Sequence, residues 1–334
     1  MNEMKKSDFP YAETYLATSV AGLIDNIKTC EYVTVIRDDT LDYPRELIKK
    51  LASYLKADIL VNLFTEKARM KASVYGYKSP IESWNNPLIY RAIMNKAEEL
   101  QRASNTDIDV EINDVDAYFK REAIYNVCRE ANAFSTVISK TIYDLFLSSV
   151  VSTSNHVFDP FGGWGDRMLG ALCSSHVTTY TCVDSNPNLE SGYTAIQTHD
   201  TSRCKLHFHI QDIMSFFEDN KKCDYDLIFT SPPYYNYETY TTTRDKNQSV
   251  YGYTTYQSWL TGFIKPLMHE LVNILAADRY MLLHAGNTKK ALTFVNDILN
   301  IGKLLGLTFI QYIHCRGNKT KRSVPILVFH KMKK

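Results

Sequence analysis

From residue 156 onward, short runs of apolar, β-branched and aromatic residues alternate with stretches whose apolar positions recur at helical spacing. The runs His156–Asp159, Thr179–Asp184, Lys205–Ile210, Tyr225–Thr230, Tyr280–Ala285, Thr308–His314 and Pro325–His330 are the predicted strands. Helical patterns cover Arg167–Cys173, Tyr256–Leu275 and Lys289–Leu305. Alternation of this kind predicts an α/β fold, a parallel sheet with helices on both faces. No helical pattern separates the last two runs, so they are expected as an antiparallel hairpin at one edge.

Residues 1–115 follow another pattern. Asp42 stands as a helix cap with Pro44 in the first turn, and Leu47, Ile48, Leu51 and Leu55 fall on one apolar face. Asn86 and Pro87 start a second helix bearing Leu88, Ile89, Ile93 and Leu100. Tyr32–Ile36 and Ile59–Phe64 read as strands. The acidic run Asp107, Asp109, Glu111, Asp114 and Asp116 has few large apolar residues and reads as a boundary loop. Two units are therefore expected, 1–115 and 116–334, the first smaller and mainly helical or α/β.

Composition narrows the class. The chain has 334 residues, 45% hydrophobic and 22% charged, the balance of a globular protein. No apolar run reaches the ~18 residues of a membrane span, and the polar start at Met1 carries no signal core. Seven cysteines stand singly with no CxxC pair, which points to reduced thiols in a cytosolic compartment and away from a zinc knuckle. The net charge of +1 argues against a wholly basic nucleic-acid binder. Basic residues nevertheless gather late in the chain, at Arg316, Lys319, Lys321 and Arg322, then Lys331, Lys333 and Lys334; a solvated loop and tail would look the same. The 23 tyrosines are dense between Tyr234 and Tyr256.

Candidate chemistry lies at the ends of the predicted strands. The first leads into Asp159-Pro160-Phe161-Gly162-Gly163-Trp164-Gly165, where Gly163 and Gly165 let a ligand approach backbone that a Cβ would shield. Asp184 closes the second strand, where an acid can accept from both hydroxyls of a ribose; a turn cap is the plainer reading. Asp212 follows the third and, taken alone, reads as a helix cap. The fourth runs into Ser231-Pro232-Pro233-Tyr234, a stiff turn offering a hydroxyl, a fixed carbonyl and an aromatic ring. Such a turn suits a flat base held by its exocyclic amine. Earlier, Asn132-Ala133-Phe134-Ser135-Thr136 precedes a helical stretch in which Ser135 or Thr136 can cap. His207 and His209 alternate on a predicted strand without a third ligand, so no metal is expected. No Pro-Cys dipeptide occurs, which leaves covalent cysteine chemistry unsupported.

In this order, the Asp159–Gly165 loop and the Ser231–Tyr234 turn resemble the S-adenosylmethionine-dependent DNA amino-methyltransferases, which make N4-methylcytosine or N6-methyladenine. The segment Arg322–Phe329 also resembles their last edge strand, so the likeness spans about residues 130–331. Trp164, Asp166 and Arg167 depart from the commonest small-residue form of the loop. The resemblance implies a Rossmann-like seven-stranded methyltransferase sheet in a catalytic domain, 116–334, with 1–115 as an accessory domain for target recognition or oligomerisation. It implies S-adenosylmethionine as cofactor, held by Phe134, Ser135, Asp159, Phe161, Gly163, Gly165, Asp184 and Asp212, the last on the adenine amine. Ser231, Pro232, Pro233 and Tyr234 would form the catalytic turn, with direct in-line attack by the amine. The serine places N4-cytosine ahead of N6-adenine. DNA is the expected partner and RNA the alternative, with a homodimer or a second subunit also in view. The further alternative is a non-catalytic, nucleic-acid-binding subunit of a methyltransferase complex. The expected setting is the cytoplasm of a microbe or a virus-infected cell.

Overall fold

Side chains alternate across a strand, so a sheet covered on both faces must bury both sets. The strands here do so. Val157, Tyr180, Cys182, Leu227, Phe229 and Leu282 face one apolar cluster. Phe158, Val183, Ile228, Met281, Leu283 and Leu327 face the other.

The computed structural model describes residues 8–14, 19–29, 33–38, 45–49, 59–104, 115–148, 154–199, 203–220, 224–235, 237–240, 248–316 and 324–333. The N-terminal part supplies α1 (Val20–Thr29), β1 (Val33–Asp38), β2 (Arg45–Lys49), α2 (Asn62–Arg69), β3 (Ser73–Val74), α3 (Pro80–Trp84) and α4 (Pro87–Ser104). Two helices, α5 (Ala117–Val127) and α6 (Thr136–Leu147), lead into the alternating part. That part runs β4 (His156–Asp159), α7 (Asp166–Cys173), β5 (Thr179–Asp184), α8 (Glu190–Gln197), β6 (Lys205–Ile210), α9 (Ile213–Asp219) and β7 (Tyr225–Thr230). After the short β8 (Glu238–Thr239) come α10 (Tyr256–Trp259), a π-helical turn (Leu260–Ile264) and α11 (Lys265–Ile274). The chain ends with β9 (Leu275–His284), α12 (Phe294–Leu304), β10 (Thr308–Arg316) and β11 (Pro325–Lys331).

The main sheet has the order β1-β2-β10-β11-β9-β7-β4-β5-β6. Its strands β6, β5, β4, β7 and β9 are parallel. Strand β11 lies antiparallel between β9 and β10. The seven strands from β6 to β10 make the sheet of the Rossmann-like methyltransferases, and this is the fold of the chain. The chain steps outward from β4 through β5 to β6, then returns to β7 on the other side. Such a reversal opens a crevice beyond the carboxyl ends of the two central strands.

The last two strands do pair antiparallel, but not at an edge: β11 is inserted, and β2 pairs parallel with β10. The expected helix after Asp42 is therefore corrected over Arg45–Lys49, which forms β2; Asp42, Pro44, Leu51 and Leu55 lie outside the described residues. The expected strand Ile59–Phe64 is corrected too, because the chain turns at Leu60 and enters α2 at Asn62. Both Leu60 and Val61 are fully buried. Of Tyr32–Ile36, residues 33–36 belong to β1. The helix expected from Asn86 is α4, with Asn86 Oδ1 accepting from the N–H groups of Leu88 (3.1 Å) and Ile89 (3.2 Å). Acidic residues 107–114 lie outside the described residues, while Asp116 caps α5. Lys319, Lys321 and Arg322 also lie outside them.

Residues on both sides of position 115 share one core. Leu23, Ile24 and Ile27 of α1 join the same apolar cluster as α6 and α7. A buried ionic group ties α2 to α5 and to the segment before α6. Arg69 donates to Glu130 (2.9 Å) and Arg121 to Glu66 (2.8 Å), and Arg121 also donates twice to Glu130. Burial works against ionised Glu130, but Arg121 and Arg69 overcome it and hold the carboxyl below its usual range. Arg69 further donates to the Ala131 carbonyl (3.2 Å), fixing the chain just before Asn132.

Candidate functional site

A cavity of about 580 Å³ opens at the crevice, and it reaches from Asp212 past Asp184 and Gly163 to Ser231 and Tyr234. Of the residues singled out in the sequence, Phe134, Phe161, Gly163, Asp184, Asp212, Ser231, Pro232, Pro233 and Tyr234 line it. Ser135, Asp159 and Gly165 do not.

The glycine loop is bound from several sides. Gly162 N–H donates to the Val183 carbonyl (2.9 Å), drawing the loop onto β5. Gly163 adopts φ 60° and its N–H donates to Asp184 Oδ2 (2.9 Å). A side chain at that φ is disfavoured, and its absence leaves the backbone open to the cavity. Gly165 has φ 92°, and a Cβ there would fall 2.9 Å from Ile196 Cδ1. Its glycine thus serves packing against α8 and not ligand approach.

Asp159 is the anchor beneath the loop, not part of its surface. The fully buried carboxylate accepts from Arg167 Nε (2.7 Å), the Tyr180 hydroxyl (2.7 Å) and the Thr230 hydroxyl (2.7 Å). Arg167 also donates to the Phe161 carbonyl. One ion pair therefore joins β4, β5, β7 and the glycine loop. Ser135 accepts from Ile138 N–H (3.2 Å) and caps α6, the plainer of its two readings.

Asp184 accepts from Asn186 N–H (2.9 Å) with its second oxygen. Burial pushes its carboxyl up to about 6, against the pull of the two backbone N–H groups. Asp212 caps α9 through Oδ1, which accepts from Met214 N–H (2.9 Å) and Ser215 N–H (3.2 Å). Capping and lining the cavity coexist here, because both capping bonds fall on one oxygen.

At the other end, Ser231 Oγ donates to the His284 carbonyl (3.1 Å) and lies 3.3 Å from His284 Nδ1. The Tyr234 hydroxyl donates to the same carbonyl (3.2 Å). His284 is pushed down to about 3 by burial and then by the nearby Arg167 charge, so its ring is neutral. Phe134 packs edge-on to that ring, with centroids 4.9 Å apart. Sequence reasoning missed His284, although the signal was a histidine closing the fifth strand of a parallel sheet, where ligand residues gather.

The tyrosines divide. Tyr235 and Tyr256 pack on Trp259, whereas Tyr237, Tyr240, Tyr251 and Tyr253 line the cavity. Tyr75 joins them from the N-terminal part. Its N–H donates to the Tyr237 carbonyl (2.9 Å) beside the β3–β8 pair, and the two rings meet edge-to-face at 4.3 Å. Tyr75 holds φ 55°, an uncommon conformation for a bulky side chain.

Among the described residues no helix is long and apolar enough to cross a membrane. His209 of the HxH pair packs against Phe216.

No protein-family model and no curated protein matches the sequence. Among solved structures, the chain is similar to the N-methyltransferase NodS from Bradyrhizobium japonicum in complex with S-adenosyl-L-homocysteine. Identity there is 13%, over 73% of this chain and 98% of that one, with a TM-score of 0.40. A methyltransferase from Pyrococcus furiosus aligns at 15% identity over 73% and 98%, with a TM-score of 0.39. The SAM-dependent methyltransferase from Agrobacterium tumefaciens aligns at 12% over 62% and 64%, also at 0.39. The functional reading rests on the sheet order and on the residues of the cavity.

Proposed function

We propose that the protein transfers a methyl group from S-adenosylmethionine to the exocyclic amine of a base in DNA, with cytosine N4 ahead of adenine N6. The observation that carries this reading is the hydroxyl of Ser231. Its hydrogen has acceptors on His284, the carbonyl at 3.1 Å and Nδ1 at 3.3 Å, which leaves an Oγ lone pair for a donor in the cavity that Ser231 lines.

The cavity residues fit the cofactor. Gly163 brings its backbone to the cavity at φ 60°, Asp184 offers carboxylate oxygens to a diol, and Asp212 stands beyond it to accept from an adenine amine. The cavity volume lies within the few hundred to ~1,000 Å³ usual for such ligands. When bound, S-adenosylmethionine supplies a methyl already activated on a sulfonium.

The protein's task is then orientation. An aromatic amine is a weak nucleophile because its lone pair is shared with the ring. Ser231 Oγ and the Pro232 carbonyl accept its two hydrogens and free that lone pair for in-line attack. The prolines keep both acceptors fixed, so little reorganisation is needed on reaction. Tyr234 braces the face of the base. Neutral His284 matters because a cation there would repel the positive charge that develops on the amine.

Residues 1–115 contribute to target recognition in this reading. Tyr75, held against Tyr237 at the cavity mouth, is their contact with the target, and a base entering from a duplex must first leave its stack. The test is transfer of labelled methyl to duplex DNA, single-stranded DNA and total RNA, read by nucleoside mass spectrometry. N4-methylcytosine or N6-methyladenine in DNA is the expected product. Label in RNA alone would replace DNA with RNA as substrate, and no product with cofactor bound would leave a binding subunit.

A further inference from the structure

Two acids flank the glycine loop, and the structure gives them different duties. Asp159 is consumed by Arg167, Tyr180 and Thr230 beneath the loop. Asp166, the first residue of α7, lines the cavity beside Asn132 and Phe134. Its side chain is buried, with the residue 2% exposed, and Oδ1 has no hydrogen-bond partner.

The charged groups facing Asp166 make their hydrogen bonds to other residues. Arg167, its neighbour on α7, is paired with Asp159. Arg69, which faces it from α2, donates through its two terminal nitrogens to Glu130, Asn62 and Ala131, while its buried Nε hydrogen-bonds neither Asp166 nor any other described residue. From the segment before α6 only the Phe134 backbone acts on the carboxylate. Burial raises the Asp166 carboxyl to about 7, and Arg167 and Arg69 offset only part of that. A buried carboxylate left short of donors is costly unless a cation arrives to pair with it.

We propose that Asp166, not Asp159, is the carboxylate that receives the α-ammonium of the cofactor's methionine moiety. This assignment rests on the cofactor reading above. The cofactor carries two positive centres. A sulfonium has no hydrogen to donate, whereas an ammonium brings three donors to an oxygen that lacks one. The order of acids along the cavity agrees: Asp212 at the adenine end, Asp184 at the ribose, then Gly163, and Asp166 where the methionine tail must lie. Ser231, which in the proposed reading receives the target amine, lines the same cavity. The pair of departures at Asp166 and Arg167 thus acts as one exchange. Arg167 neutralises the acid of the loop, and Asp166 supplies another one step further on.

The test is isothermal titration calorimetry with S-adenosylhomocysteine and with methylthioadenosine, the same nucleoside without the amino-acid tail. Wild-type protein and Asp166→Asn are each titrated near pH 7 in two buffers of different ionisation enthalpy. Loss of a charged hydrogen bond is expected to raise the S-adenosylhomocysteine dissociation constant about tenfold to a hundredfold. Methylthioadenosine binding is expected to be unchanged, which also reports that the variant is folded. Wild type should release about half a proton on binding S-adenosylhomocysteine, and Asp166→Asn none. Equal weakening toward both ligands would overturn the proposal in favour of a scaffold role, and unchanged affinity for both would also overturn it. If wild type bound neither ligand, the cofactor reading itself would fall, and this assignment with it.

Discussion

The guanidinium of Arg167 lies against the fully buried carboxylate of Asp159, with Nε 2.7 Å from Oδ2. The two residues come from the helix after the glycine loop and the strand before it, so their bond closes the loop from below. Removing one member leaves an uncompensated buried charge, which costs about 3–5 kcal/mol. Arg167→Gln is therefore expected to lose stability of that order in urea denaturation. The double variant with Asp159→Asn should lose less than the two singles summed, because the removed charges are partners. Strict additivity would show that the pair does not act as a unit.

Ser231→Ala separates chemistry from binding. The alanine removes an acceptor that matters as charge develops on the amine, while the cofactor's acids at Asp184 and Asp212 stay in place. Removing a preorganised group of this kind lowers turnover by about 10²–10³-fold. Single-turnover methylation of a DNA substrate should show that loss with the S-adenosylhomocysteine dissociation constant unchanged. A parallel loss of cofactor affinity would argue that Ser231 shapes the cavity as a whole.

Asp184→Asn should do the reverse. One carboxylate oxygen survives as a carbonyl, so the Gly163 or Asn186 N–H keeps a partner. The acceptor for a second ribose hydroxyl is lost, a change of about 1.5–3 kcal/mol for a hydrogen bond to a charged group. Calorimetry should find S-adenosylhomocysteine and methylthioadenosine weakened alike, since both carry the ribose. That pattern is the opposite of the one expected from Asp166→Asn. Unaltered affinity for both would reduce Asp184 to a turn cap.

Much of the sheet was legible because its strands are short apolar runs that end at Asp, Gly or Pro. The boundaries of β4 to β7 follow from residues such as Phe158, Val183 and Ile228, buried on one face, and Val157, Cys182 and Leu227, buried on the other. The N-terminal readings failed where short apolar runs serve two periodicities. Leu47 and Ile48 suit a helix face or a strand, and the choice fell to pairing with β10, which local pattern does not carry. Ile59–Phe64 looked like a strand because it is apolar at every position but Asn62; it is a turn feeding α2. At the site, motif spacing identified nine lining residues but not their depth. Asp159 and Gly165 belong to the motif and sit under it, while His284 and Tyr75 line the cavity outside any motif and Asp166 lines it as a departure from the usual loop.

The same burial that fits Asp166 and Asp184 for a ligand works against the empty protein. Their carboxyls are raised from 3.8 to about 7 and about 6. Each holds its proton in the folded chain over a range where the unfolded chain has lost it. The stability they contribute is full below the unfolded value and is lost as pH rises through the folded ones. Neutral His284 acts oppositely, because its lowered value makes the unfolded chain the stronger proton binder between about 3 and its usual 6.5. The net slope is a sum of these, so the clean quantity is the difference between wild type and Asp166→Asn. That difference should favour the variant increasingly as pH rises from about 4 to 8, reaching about 1–3 kcal/mol. Urea denaturation of the cofactor-free proteins across this range would measure it. A variant that is more stable when empty yet weaker for S-adenosylhomocysteine would mark Asp166 as a residue kept for binding at a cost to the fold. A difference flat with pH would mean that Asp166 is already ionised in the empty cavity, with Arg69 and Arg167 supporting its charge.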